Sequence, residues 1–471
     1  MVALAAMVVL YIQVFGWLTW QQQTNFGTFG FDMGIYDQGI WLLSRFHVPF
    51  DTVRGLNYFG HHVNIITLLF VPFYWLGAGP HLLYFVETIA MALGAVPIWL
   101  LATDKTDQPW VSLVPAGAYL LYPALEWINW WHFHPDALII TPLLFAWWSA
   151  SRKNWRWFVV AVVCALLAKE DAALAVFVMG GVMWIRGEKK WGRRTLLAGL
   201  AWFFICTKVI IPVANHGSSP FYEEFFPDFG HSMFAIAWTM VRHPSRIYRV
   251  AFLADRRKYY RQLLMPVAFM PIAAPLVLAI AGPQTLVNVV SLHQPTHDIH
   301  YHYGSIPTAV IFIATVEIFA KLVNRRRWWR VVTIAALVVA SVGSNIAWSP
   351  SPIGRGFNDG VWVHRAPRHD AIRAALKLVR PSDAVTATYY IVPHLTHRVT
   401  IYEFPNPFRV TNWGANGEHP PRVNSSNVLV LDTTVNGESE ALYERLVAPH
   451  GPFKIVFHRD AIVVARRKPS R

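Results

Sequence analysis

The sequence predicts an α-helical polytopic membrane protein with a small C-terminal α/β domain. Three observations predict it. Hydrophobic residues make up 54% of the 471 and charged residues only 14%, against roughly a quarter charged in a soluble domain. The basic residues fall in short runs between apolar segments, the pattern of cytoplasmic membrane loops. Beyond Pro350 the apolar segments stop, and glycine, proline and charge rise. Arginine and lysine exceed acids by 41 to 27, for a net charge of +14. Because the bases are confined to loops, lipid is the expected partner rather than nucleic acid. Cys164 and Cys206 each lie inside an apolar run, so no disulfide framework is indicated.

A helix needs about 20 residues to cross hydrocarbon, and roughly nine to eleven segments qualify as transmembrane candidates. The stretch 1–20 lacks the charged start and small-residue cleavage site of a signal peptide, and so reads as a transmembrane helix. Further clear segments are 81–102, 137–150, 195–213, 305–320 and 331–349. Shorter or broken ones lie at 62–78, 110–122, 157–168, 172–185 and 263–281. The basic loops at 152–156, 186–194 and 321–330 should face the cytoplasm. That assigns 21–80, 123–136, 282–304 and everything after 350 to the outer face of the membrane. Residues 62–78 begin at a histidine and carry Pro72, which fits an interfacial helix better than a span. Residues 231–262 are basic and amphipathic, and either face of the membrane remains open to them.

The division is therefore 1–349, a transmembrane domain with its outer loop at 21–80, and 350–471, an extracytoplasmic domain. In the latter, 371–379 and 438–448 read as helices. Strands are expected at 384–388 and 427–432, with a hairpin of 453–457 and 462–465.

Four outward clusters could carry chemistry. The first is Phe29-Gly30-Phe31-Asp32-Met33-Gly34-Ile35-Tyr36-Asp37-Gln38, with His61, His62 and Asn64 at the end of the same loop. Carboxylates at a membrane edge are costly unless paired, hydrated or used. A partly dry carboxylate can take a proton from a sugar hydroxyl. Asp32 is the expected catalytic base, whereas Asp37 can equally cap the next helix. The second holds Glu126, Trp127, Asn129, Trp130, Trp131, His132, His134 and Asp136. Its tryptophans fit an aromatic belt, but sugars also stack on indole faces while acids and imidazoles hold their hydroxyls.

The third, Lys169-Glu170-Asp171, lies between two apolar runs. Three successive charges belong at a hairpin tip or along a cavity, where the lysine could hold a lipid phosphate. The fourth runs from Ser291 to Tyr303 with four histidines and Asp298. Its spacing matches no closed zinc set. No metal ligand or cofactor is assigned, and His300 and Tyr303 are read as contacts to phosphate or sugar.

In this order, Phe31-Asp32-Met33-Gly34-Ile35-Tyr36-Asp37-Gln38, His132-Phe133-His134-Pro135-Asp136, Lys169-Glu170-Asp171 and His300-Tyr301-His302-Tyr303 resemble a bacterial family of predicted membrane proteins of unknown function. That family is similar to the GT-C glycosyltransferases, including protein mannosyltransferases and aminoarabinose transferases. The resemblance implies a polyprenyl-phosphate-linked sugar as donor and an envelope glycan, lipid or protein as acceptor. It also implies an acid in the first outer loop as base, and Asp32-x-x-Ile35-Tyr36 matches it best. The paired Asp-Glu of several GT-C members is missing. The expected activity is inverting glycosyl transfer; the alternative is a non-enzymatic transporter, flippase or glycolipid-binding protein. Transporters usually carry pseudo-symmetric halves, and no internal duplication is visible.

Overall fold

A computed structural model describes residues 1–218, 225–411, 417–419 and 422–469. The helices that organise the membrane part are α1 (Val2–Thr24), α2 (Ile35–Ser44), α3 (Pro80–Thr106), α4 (Pro123–Trp130), α5 (Ile140–Ser151), α6 (Trp155–Ala168), α7 (Ala172–Ile185) and α8 (Lys189–Ala214). They continue with α9 (Pro244–Ala251), α10 (Ala254–Leu264), α11 (Gly282–Val290), α12 (Ser305–Val323) and α13 (Arg327–Trp348). Among the described residues, five helices are long and apolar enough to cross a membrane: α1, α3, α8, α13 and the stretch His302–Val323 that contains α12. The remaining expected segments are shorter. Residues 137–150 become a 3₁₀ turn, Pro135–Ile139, followed by α5. Residues 263–281, expected as a span, break into short turns at Met265–Val267, Met270–Ala273 and Pro275–Leu278. The physical reason is local. Pro266, Pro271 and Pro275 each remove a helix donor, and Ala268 and Phe269 take left-handed backbone.

Helix α12 is the hub, buried almost throughout its length. Helices α7 and α8 touch backbone to backbone, because a Cβ on Gly180, Gly192 or Gly199 would fall within 2.3–2.6 Å of the partner's main chain. Small residues permit such approach in a membrane, where dispersion must replace the hydrophobic drive.

The two ends of the bundle differ in charge. At one end Arg152 meets Asp104, Lys153 meets Glu188 at 3.2 Å, and Arg186 makes a bidentate pair with Glu317 at 2.7 and 2.8 Å. This end gathers the basic runs between helices. The opposite end carries the loop after α1, the loop before α5, the α6–α7 tip and the start of α12. Helix α10 belongs to this second end: Arg261 lies over the Trp348 ring at the close of α13, and Asp255 contacts His297 at 3.2 Å. Of the basic segment 231–262, the part from Asp255 to Arg261 thus lies at this end of the bundle. Ile65–Trp75 also lies at this end and leaves Leu69, Phe73 and Trp75 exposed while Phe70 and Tyr74 are buried, the one-sided pattern expected of an interfacial helix.

Past α13 the chain forms α14 (Pro367–Leu376), β1 (Val385–Ala387), β2 (Ile401–Glu403), β3 (Val428–Asp432), α15 (Glu440–Val447), β4 (Phe453–Arg459) and β5 (Ile462–Arg467). The sheet order is β2-β1-β3-β5-β4, with β1 parallel to β2 and β3 and the last two strands antiparallel. Val428-Leu429-Val430-Leu431 is apolar without alternation because both faces are covered. Val428 and Val430 pack with Ala371 and Ile372 of α14; Leu429 and Leu431 pack with Tyr443 and Leu446 of α15. The short strand β2 was not foreseen, since three residues before Phe404-Pro405 give little pattern.

This sheet packs against the first loop. Phe26, Ile35 and Val53 belong to the same buried cluster as β1 and α14. Asp37, fully buried, accepts from Tyr74 at 2.6 Å and from the Thr396 hydroxyl, and its other contact is His397 at 3.2 Å. Gln38 donates to Thr52 and to the Arg398 carbonyl at 3.0 and 3.1 Å.

Candidate functional site

Helix α1 ends at Thr24, and the chain turns through Phe29 into a π-helical turn, Gly30–Gly34, before α2. Such widened turns often sit at functional positions because they re-aim a side chain. Gly30 is needed for close approach: a Cβ there would meet Val392 at 2.8 Å and Glu403 Oε2 at 2.9 Å. Its N–H donates to the Tyr389 carbonyl at 2.8 Å. The turn aims Asp32 at His134, with Oδ1 3.3 Å from Nε2, and leaves the Asp32 side chain 18% exposed.

Each neighbour holds His134 in place. Its N–H donates to Glu87 at 3.1 Å, and its ring stacks on His302 with centroids 3.7 Å apart and planes 16° from parallel. Tyr36 meets it edge-on at 5.6 Å. His132 takes left-handed backbone with φ 80 and bonds Tyr84 through Nδ1 at 3.0 Å. Burial lowers its pKa to about 4, against the pull of Asp32, so it is neutral at physiological pH.

A second group adjoins. Lys169, 4% exposed, lies 3.0 Å from Asp136 and 3.4 Å from Asp171. Burial opposes the ammonium, but these carboxylates hold its pKa above the ordinary lysine value. Burial likewise opposes charge on Asp136, yet Lys169 and the imidazoles of His302, His134 and His62 hold it well below the usual carboxylate range. Glu170 bonds His62 Nδ1 at 2.7 Å and accepts from the Val63 N–H at 2.9 Å. His61 stacks on His62. The α6–α7 tip is thus tied to the end of the first loop.

Of the sequence-predicted residues, Asp32, Tyr36, His132, His134, Asp136, Lys169, Glu170, Asp171, His61 and His62 form one connected region. Four do not join it. Asp37 and Gln38 secure the C-terminal sheet. Glu126 accepts two bonds from Asn345 at 2.8 and 2.9 Å and one from Ser349, which fastens α4 to α13. His300 bonds Asp298 and packs on Trp127 at 4.0 Å. Tyr303 borders the region, its ring 4.2 Å from that of His302.

Sequence reasoning missed Glu87, Tyr84 and Glu403. Glu403, at the end of β2, feels the Asp32 charge; burial and that charge raise its pKa to about 7. Nothing near Glu403 in sequence marks it, because only the docking of the sheet brings it to Asp32. Among the described residues no group of three His, Cys, Asp or Glu side chains converges as metal ligands.

Fold and site together define a polytopic membrane protein in which a C-terminal α/β unit covers an acid–imidazole cluster at one end of a helical bundle. The chain belongs to the family described as predicted membrane protein DUF2079, whose model matches residues 23–454. No curated protein matches it. Among solved structures it is similar to ArnT from Cupriavidus metallidurans in the apo state, at 15% identity, a TM-score of 0.44 and coverage of 98% of each chain. It is also similar to the archaeal oligosaccharyltransferase AglB from Archaeoglobus fulgidus in complex with an inhibitory peptide and a dolichol-phosphate. There identity is 10% and the TM-score 0.41, over 99% of this chain and 74% of that one.

Proposed function

We propose that this protein is an inverting glycosyltransferase that moves a sugar from a polyprenyl-phosphate donor to an acceptor on the outer face of the bacterial plasma membrane. The observation that carries the reading is the Asp32–His134 contact, a partly open carboxylate oriented by a stacked imidazole. It lies at the end of the bundle opposite the basic loops 152–156, 186–194 and 321–330, which outnumber in bases the 242–261 segment on its own side. By the positive-inside rule that end is the outer one.

In the reaction an acceptor hydroxyl attacks the anomeric carbon and its proton passes to Asp32. The bond from that carbon to the phosphate oxygen breaks, and the electron pair leaves with the lipid phosphate. His134 orients Asp32, while Tyr36 and the His302 ring hold His134. Such general-base assistance is worth about 10²–10⁴-fold.

The same end offers room for the donor. An apolar groove of about 360 Å³ runs among Tyr260, Leu263, Leu278, Leu286, Pro307 and Ile311. Beside it lies a recess of about 600 Å³ lined by Arg246 and Arg249. Val250 lines the recess, together with Asp228, and Ala251 lines the groove. An isoprenoid tail fits the groove, and a phosphate at the recess would have its charge matched by arginine. Lys169 is the weaker phosphate candidate, because two carboxylates already match its charge.

The test uses purified protein in nanodiscs with radiolabelled polyprenyl-phosphate sugars. Transfer by the wild type, and its loss in Asp32→Asn with the protein still folded, is the expected result. Full activity of that variant sinks the assignment. Uptake of substrate into vesicles without transfer would instead support a transporter.

A further inference from the structure

The ends of the parallel strands, as well as the membrane helices, lie against the Gly30–Gly34 turn that carries Asp32. Strands β1, β2 and β3 finish at Ala387, Glu403 and Asp432, and the chain beyond β1 presents Tyr389 to the first loop. Carboxyl ends of parallel strands are where α/β sheets bind ligands. Glu403 Oε2 is buried there without a hydrogen-bond partner, and an unpartnered buried carboxyl oxygen is costly unless a ligand uses it.

Aromatic rings from four separate parts of the chain meet near this turn. Phe29 meets Tyr389 edge-on at 5.2 Å and Trp131 at 6.4 Å; Trp131 meets Tyr301 at 4.3 Å. Trp131 and Tyr301 are half-buried, and Tyr389 is 38% exposed. These rings are therefore only partly covered.

We infer, resting on the glycosyl-transfer reading above, that the acceptor is a carbohydrate, bound between the membrane bundle and the C-terminal sheet by Trp131, Tyr301, Tyr389 and Glu403. The C–H face of a pyranose packs on the open rings, and Glu403 takes one of its hydroxyls. Another hydroxyl is thereby presented to Asp32. An extended peptide fits less well. Strand β2 is the sheet edge to which a peptide strand would add, but its Ile401 N–H and carbonyl are both taken by the Thr52 hydroxyl, at 3.0 and 2.7 Å.

The experiment is saturation-transfer NMR on the full-length protein in nanodiscs, without donor. The probes are maltotriose, cellotriose, mannotriose and a serine-containing pentapeptide. At least one trisaccharide should bind at millimolar concentration and the peptide should not. Tyr389→Ala should weaken that binding about fivefold, as expected for losing one aromatic contact, while Tyr389→Phe keeps it. Glu403→Gln should retain binding through its amide and Glu403→Leu should lose it, with circular dichroism confirming that each variant is folded. Absence of binding by all three sugars overturns the inference, as does peptide binding or equal affinity in Tyr389→Ala and Glu403→Leu. Because no donor is present, sugar binding without any transfer in the labelled assay refutes the enzymatic reading and leaves the subsite standing.

Discussion

Lys169 and Asp136 allow the connected site to be tested for its electrostatic construction. Their atoms are 3.0 Å apart with both side chains nearly covered, which at an effective dielectric near 20 corresponds to an attraction of about 5–6 kcal/mol. Desolvation of both groups offsets most of this, so the pair adds little net stability. Breaking it from one side is different, because it leaves a buried charge uncompensated at a cost of about 3–5 kcal/mol. Asp136→Asn leaves Lys169 with Asp171, whose side chain is 38% exposed, and falls at the lower end. Lys169→Met leaves Asp136 with an Oδ2 that already lacks a partner, and falls at the upper end. The double variant Lys169→Met with Asp136→Asn removes both charges, and its cost should be well below the sum of the singles, a coupling of about 2 kcal/mol or more. Cys206 is fully buried, so in a Cys164→Ser background its reaction with a thiol dye along a denaturant series reports unfolding. Single losses under about 1 kcal/mol, or strict additivity, would refute the argument.

Other outcomes follow from the same geometry. Burial disfavours charge on His397, but Asp37 outweighs it and raises the pKa above the ordinary value. The charged pair therefore contributes to docking of the C-terminal sheet below about pH 6.5, and that contribution is lost as pH rises through the raised value. Hydrogen exchange over residues 390–400 should quicken across that window, and His397→Gln should flatten the dependence; an unchanged profile in the variant contradicts the pairing. Arg246→Gln with Arg249→Gln should raise the donor KM about tenfold with kcat little changed, as for loss of a charged phosphate contact; an unaltered KM places the phosphate elsewhere. Gly180→Val forces a side chain where the Leu196 nitrogen lies 2.3 Å from an ideal Cβ. It should destabilise the α7–α8 pair by about 1–3 kcal/mol in a denaturant titration.

The helical plan was legible because composition and hydrophobic runs act over many residues, and averaging makes them insensitive to local detail. The α/β unit was legible for similar reasons: Val428-Leu429-Val430-Leu431 reads as a covered strand whatever its neighbours do. That Asp32, His134 and Lys169 would gather at one end of the bundle was legible because charge at a membrane edge demands a reason. Helix continuity was not. The run 263–281 is apolar enough to span, yet three prolines and two left-handed residues cut it into turns. Roles of individual acids were not legible either. Asp37 and Glu126 carry the same edge signal as Asp32, and only their partners show that one docks a sheet and the other fastens two helices.

Glu403 shows why the second half of the site lies beyond sequence reasoning. It ends a three-residue strand, 371 positions from Asp32, and its neighbours Tyr402 and Phe404 mark nothing but a covered edge. Its meaning comes from three tertiary facts together: β2 runs parallel to β1, the strand ends face the first loop, and Gly30 leaves room for the contact. Burial, and after it the Asp32 charge, raises the pKa of Glu403 to about 7. The pair that sequence motifs did not show as neighbours can therefore arise across the docking surface, one acid from the bundle and one from the sheet. The Asp37 contacts with Tyr74, Thr396 and His397 then have a consequence beyond stability, because they tie the first loop to the chain that follows β1. Asp37→Asn should then lower acceptor binding without touching acceptor, and restoring docking by an engineered link between the first loop and the 392–396 turn should recover it. Recovery of docking without recovery of binding would separate the two and assign Asp37 a direct role instead.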